Sequence, residues 1–160
     1  MVDVLSAANA RAIVFDVGFF EPAPGDDELA RAIREARYVV QPIVGRPEVA
    51  EAPGLTRLTH VEAPLPPLAA GSALLGSANV VTDSDGAVRT LPLAYEVDGR
   101  LVPSLALAAV AVALRQERDL RLERAANTVY FAGREIPVTD RLGMRINYVG
   151  TPSQTDGAQT

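Results

Sequence analysis

Two short, uninterrupted apolar runs, Ala12–Phe15 and Tyr38–Val40, stand on either side of a helical pattern, and this arrangement narrows the choice of fold. A strand that is apolar at every position is buried on both faces, whereas a strand with one wet face alternates. Between the runs, Leu29, Ile33 and Ala36 recur at helical spacing. Acidic residues fill the start of that helix, where the backbone dipole favours negative charge. Asp26 or Asp27 is expected to cap it, and it should run to about Arg37. Val4 to Ala10 reads as the last turns of an earlier helix, with Val4, Leu5 and Ala8 on one side. Helix, strand, helix, strand in succession predicts helices packed on a parallel sheet. A helix that feeds a buried strand also leads one to expect a still earlier strand.

Ile43-Val44 is read as an extension of the second strand beyond Pro42. Arg46 to Ala63 is irregular, either an exposed excursion or a pair of edge strands around Val49 and Leu58. Pro64 to Gly71 leads into a short helix. From Gly76 to Ser104 the pattern is a strand at about 75–81, an Asp-rich turn, a strand at about 87–97, a tight turn at Asp98-Gly99, and a brief strand at 100–102. Asp-Gly between alternating apolar residues is a strong hairpin signal. Ser104 is a good N-cap for a long helix from about 105 to 118, whose Leu105, Ala108, Ala109, Val112 and Ala113 form a wide apolar stripe. Residues 128–131 and 134–137 should form a hairpin about Ala132-Gly133, and Met144–Tyr148 a last strand. The domain should span 1–150, with a polar, disordered tail at 151–160.

Composition removes several classes of function. The chain has 160 residues, 48% of them hydrophobic, and a net charge of −5. That length supports one core, and an acidic surface lacks the attraction that a phosphate backbone needs, so nucleic acid is not an expected partner. There is no Cys, hence no disulfide, no thiolate metal site and no Cys nucleophile. His60 is the only His, in a Pro- and Leu-rich setting with no nucleophile motif beside it; it reads as a surface or packing residue. The longest apolar stretch, Leu105–Leu114, is about half a membrane span. The start of the chain has neither the basic residues nor the apolar core of a signal peptide. Every basic residue is Arg, which reads as genomic composition bias.

Few residues offer chemistry. Asp16 ends an apolar strand, and ligands gather at the carboxyl ends of strands in open α/β sheets. A phosphatase nucleophile loop would need a second Asp two residues on, where Gly18 stands; otherwise Asp16 fixes the next loop through backbone amides. Asp83, Asp85 and Gly86 resemble the opening of a calcium loop, yet the twelfth position is Ala94 and Glu96 overshoots. Asp and Gly also favour turns for their own backbone reasons. Arg89 follows the two acids. It either braces them or presents a bidentate fork to a carboxylate or phosphate ligand. No phosphate-binding Gly loop is present.

Taken together, three blocks resemble the type 2 CHASE domain, the cyclase/histidine-kinase-associated sensing extracellular module. They are Ala12–Asp16 with Phe19, Glu21-Pro22 and Asp26–Ala30; Leu75-Gly76 with Asn79-Val80, Asp83–Arg89, Pro92-Leu93 and Pro103–Leu107; and Ile136-Pro137 with Asp140, Gly143, Ile146–Tyr148 and Gly150. The family usually opens with an apolar strand ending in an acid, and this chain begins after that strand. The family's transmembrane helices are likewise absent from it.

The resemblance implies an α/β fold: a mixed β-sheet covered by helices in a single layered sensor domain. It implies a non-enzymatic, ligand-sensing input domain on the outer face of a bacterial membrane, joined to transmembrane and cytoplasmic output domains such as cyclases, diguanylate cyclases, phosphodiesterases or kinases. An unidentified small-molecule ligand and a homodimer are the expected partners, with no cofactor. Asp16, Asn79, Asp85 and Arg89 are the candidate ligand contacts. Two other readings stay open. One is a small hydrolase using Asp16 as nucleophile or Asp83 and Asp85 as metal ligands; the other is a dimerising module that binds no ligand.

Overall fold

The protein is an α/β domain in which helices cover a mixed sheet on both faces. Its structure, a computed structural model, describes residues 1–48, 54–118, 120–125 and 127–148. In chain order the elements are α1 (Val2–Ala7), β1 (Ile13–Val14), α2 (Asp26–Ala36), β2 (Val39–Glu48), β3 (Thr56–Glu62), α3 (Pro66–Gly71), β4 (Leu74–Ser77), β5 (Thr90–Pro92), β6 (Ala94–Val97), β7 (Arg100–Pro103), α4 (Leu105–Ala113), β8 (Glu123–Ala125), β9 (Thr128–Phe131), β10 (Arg134–Pro137) and β11 (Gly143–Arg145).

The apolar runs form the parallel centre. β1 pairs with β2 through Ile13–Val39 and Val14–Val40, and β2 pairs in parallel with β4 from Val40–Leu74 to Ile43–Ser77. The period of two along each strand splits the side chains between faces. Ile13, Phe15 and Val39 pack with Val2, Ala30, Ile33 and Leu68 beneath α1, α2 and α3. Val40 faces the other way, onto Ala108 and Val112 of α4. Buried Gln41 ties α3 to this sheet, its Nε2 donating to the Leu68 carbonyl at 2.9 Å and the Ser72 hydroxyl at 2.7 Å.

β2 does extend through Pro42, and its far half pairs antiparallel with β3, with a register shift between Val44 and Arg46. β3 meets β6 in parallel, and β6 and β7 form the hairpin about Asp98-Gly99. Both turn residues have positive φ, 49° and 74°, as a type I′ turn requires. A second sheet, β10-β9-β8, has the expected turn at Ala132-Gly133, and β11 pairs with β5.

α4 explains its own composition. Leu107 and Ala111 pack on Leu93, Val129, Phe131 and Leu142, while Ala108 and Val112 pack on the parallel sheet. A helix shared by two layers has to be apolar on most of its circumference. Of what remains, Leu105, Ala109 and Ala113 are half-buried, while Ala106, Val110 and the C-cap Leu114 are exposed.

The structure changes several local expectations. α2 starts at Asp26 itself, with Gly25 in the left-handed region as N-cap. The Asp26 carboxylate accepts instead from the Ala23 amide at 2.8 Å, closing the preceding Pro-rich loop. In α1 the buried residue is Val2, while Val4 is exposed. The strand expected at 87–97 is two strands in different sheets. Leu93 breaks it, its amide donating to the Leu142 carbonyl while its own carbonyl accepts from Ser104. α4 ends at Ala113, and Arg115 takes a left-handed φ of 59° soon after. The strand expected at 75–81 stops at Ser77, and that at 144–148 is β11, ending at Arg145. Val49 and the tail at 151–160 lie outside the described residues.

Candidate functional site

The carboxyl ends of β1 and β4 meet the amino end of α4, and a cavity of about 400 Å³ opens there. Its walls include Val14, Val80, Leu91, Leu105, Ala106 and Ala109; its polar lining is Asp16, Ser77, Asn79 and Ser104. Three local features bring these residues together. Asp16 keeps the strand parity of Ala12 and Val14 and so lies on the α4 side of the sheet. Ser104 caps α4, its Oγ accepting from the Leu107 amide at 3.2 Å. Gly76 allows the helix to lie against β4: a Cβ there would come within 2.8 Å of the Leu105 Cα and 3.0 Å of the Ala108 Cβ. Ser77 and Ser104 are joined by an isolated parallel bridge, which seals the floor.

The four residues singled out from the sequence fall in two places. Asp16 and Asn79 share the cavity; Asp85 and Arg89 do not reach it. Asn79 is committed to the scaffold. Its Oδ1 accepts from the Gly45 amide at 3.0 Å and from the Ser77 hydroxyl at 3.1 Å, and its Nδ2 donates to the Gly45 carbonyl at 2.7 Å. The side-chain amide thus stands in for a strand peptide where β2 slips register. The Asn79 carbonyl accepts from the hydroxyl of fully buried Tyr95 at 2.6 Å. Asp16 is exposed and has no side-chain partner among the described residues.

In the 83–89 turn, Arg89 grips both acids. Its guanidinium donates to Asp83 at 2.8 Å and to both carboxylate oxygens of Asp85 at 2.9 and 2.7 Å. This fork holds the Asp85 carboxyl below its usual range, helped by the Ala87 amide, and raises the Arg89 guanidinium above its own. Gly86 has a φ of +80°, and the Asp83 amide donates to the Ala87 carbonyl across the turn. A second cavity, of about 470 Å³, lies beside it, lined by Asp83, Arg89, Thr90, Arg145, Ile146 and Tyr148. His60 is exposed on β3, away from both places. Among the described residues no group of three or more His, Asp or Glu could hold a metal ion, and no helix is long and apolar enough to cross a membrane.

Sequence reasoning missed Ser77, Leu105, Ala106 and Ala109 as cavity walls. Gly76 was the available signal, a small residue before the strand end that faces a helix start.

Burial alone raises the Tyr95 hydroxyl to about 12, against 10 for a free tyrosine. The unfolded chain therefore loses this proton first as pH rises. Stability is fully present below pH 10 and falls between about 10 and 12, by roughly 2–3 kcal/mol in all. Melting curves from pH 9 to 12 should show that decline, and Tyr95→Phe should flatten it while costing about 1–2 kcal/mol at pH 7 by orphaning the Asn79 carbonyl.

A mixed sheet covered by helices in this way has the form of an α/β sensor domain. The chain belongs to the CHASE2 domain family, which matches residues 1–159 and is a family of extracellular sensory domains of signalling proteins. No curated protein and no solved structure matches the chain.

Proposed function

We propose that this chain is the ligand-sensing input domain of a bacterial transmembrane signalling protein, placed on the outer face of the membrane, and that the cavity between β1, β4 and α4 receives the ligand. The observation that carries the reading is the cavity itself, at the strand ends where α/β sheets bind ligands, with Asp16 on its lining. A sensor needs only different affinities for two conformations, and a ligand in this cavity would act on α4, the element that packs on both sheets. The output would be a cyclase, a diguanylate cyclase or phosphodiesterase, or a kinase. In the 83–89 turn, Asp85 and Arg89 serve the scaffold in this reading, since their charges satisfy each other.

The exposed stripe Ala106, Val110 and Leu114 favours a second reading, dimerisation through α4. Two copies with a net charge of −5 each could meet there, since α4 carries no charged residue. A thermal-shift screen of metabolites, with sedimentation velocity on the same sample, separates the two. Ligand binding to the native state raises the melting temperature by mass action, about 2.7 kcal/mol at a hundred times Kd. A hit that is lost in Ala109→Trp, which plugs the cavity, supports the sensor. A concentration-dependent dimer with no hit across a broad library supports the dimerising module instead.

A further inference from the structure

The cavity lining carries one formal charge, and it is negative. Asp16 is the only ionisable residue among the eleven that line it. Its carboxylate accepts hydrogen bonds and donates none when ionised, and it has no side-chain partner among the described residues. Ser77 already donates to Asn79 Oδ1 and accepts from the Asn79 amide, and the Asn79 side chain is taken up by Gly45 and Ser77. Ser104 keeps a hydroxyl proton but is 1% exposed, at the floor. The other lining residues, Val14, Ala78, Val80, Leu91, Leu105, Ala106 and Ala109, have apolar side chains.

The amino end of α4 opposes Asp16 in sign. A helix end contributes about half a charge spread over several amides, and here Ser104 already satisfies one of them. The full charge of Asp16 outweighs it. The volume, about 400 Å³, suits a molecule of small size with a short apolar body.

We infer that the cavity selects a small aliphatic ammonium compound, with its cationic head on Asp16 and its alkyl body against Val14, Leu105 and Ala109. This inference rests on the cavity being the ligand site. It excludes free carboxylates and phosphates as ligands, because Asp16 would repel them with no basic residue on the lining to compensate.

Methyl NMR titration with n-butylammonium, n-butanol and butyrate tests it. The three probes share a body length and differ in head group. Butylammonium should bind in the millimolar range and shift Val14, Leu105, Ala106 and Ala109, with butanol at least about 5-fold weaker and butyrate weaker again. Asp16→Asn should bring butylammonium to the level of butanol and leave butanol unchanged. Added salt should weaken butylammonium alone, since the head group is solvent-accessible and screened. Equal binding of butanol and butylammonium, or a preference that survives Asp16→Asn, overturns the ammonium assignment and leaves the cavity as the site. A lower melting temperature in Asp16→Asn with no change in probe selectivity makes Asp16 a helix-end counter-charge and also overturns it. Absence of shifts at these methyl groups with every probe overturns the cavity reading itself.

Discussion

Gly76→Val should cost about 3 kcal/mol or more and lower the melting temperature on the order of 10 °C. The added Cβ would stand 2.8 Å from the Leu105 Cα and 3.1 Å from the Leu105 amide nitrogen. Both are backbone atoms, so no side-chain rotation relieves the clash. Either α4 rises from β4 or the strand end bends, and both movements open the contacts of Ala108 and Val112 with Val40. Gly76→Ala should show the same defect in smaller measure. Differential scanning calorimetry of the two variants checks the order glycine, alanine, valine. A valine variant melting within about 2 °C of the parent would show that the helix start yields freely, and would remove the close approach from the account of the cavity.

Asn79→Ala should cost about 2 kcal/mol, because it strips partners from both the amide and the carbonyl of half-buried Gly45 and from the Ser77 hydroxyl. Asn79→Asp should be worse than alanine at neutral pH. It keeps an acceptor for the Gly45 amide but sets a second carboxylate oxygen against the Gly45 carbonyl, where Nδ2 now lies at 2.7 Å. Protonating that carboxylate returns a donor, so the aspartate variant should recover part of its loss on acidification while the alanine variant does not. Urea melts at pH 7 and pH 4 measure both effects. Because the hydroxyl of Tyr95 bonds to the Asn79 carbonyl, the costs of Asn79→Ala and Tyr95→Phe should fail to add. Equal losses for alanine and aspartate would mean that the amide's orientation contributes nothing.

The features legible in the sequence are those written in neighbouring residues. The apolar runs at 12–15 and 38–40 became the paired strands β1 and β2, with Ile13, Phe15, Val39 and Val40 buried, whereas Val14 is exposed rather than covered on the second face. The helix over 26–36, the Ser104 cap and the turns at Asp98-Gly99 and Ala132-Gly133 also follow local rules and were visible in advance. The resemblance to the CHASE type 2 family rested on the order of three blocks, and the match over residues 1–159 agrees with it.

What escaped depends on partners far along the chain. Nothing near Asn79 shows that Gly45, 34 residues earlier, would occupy its side-chain amide. The strand after Arg89 seemed continuous to 97 because the break at Leu93 is made by Leu142 and Ser104. Val2 rather than Val4 is buried because Val2 packs with Ala30 and Ile33 of α2, a contact that the local pattern does not show. Arg89 carried two readings, brace or fork, and its three short bonds to Asp83 and Asp85 are of the bracing kind.

The position of α4 between the two sheets bears on cooperativity. Leu107 and Ala111 belong to one apolar cluster and Ala108 and Val112 to another, so adjacent residues of a single turn hold separate cores. Neither core keeps its lid if the helix unwinds. The domain should therefore open as one unit, with amide protons on β2 and β9 exchanging through the same rare event although they lie in different sheets.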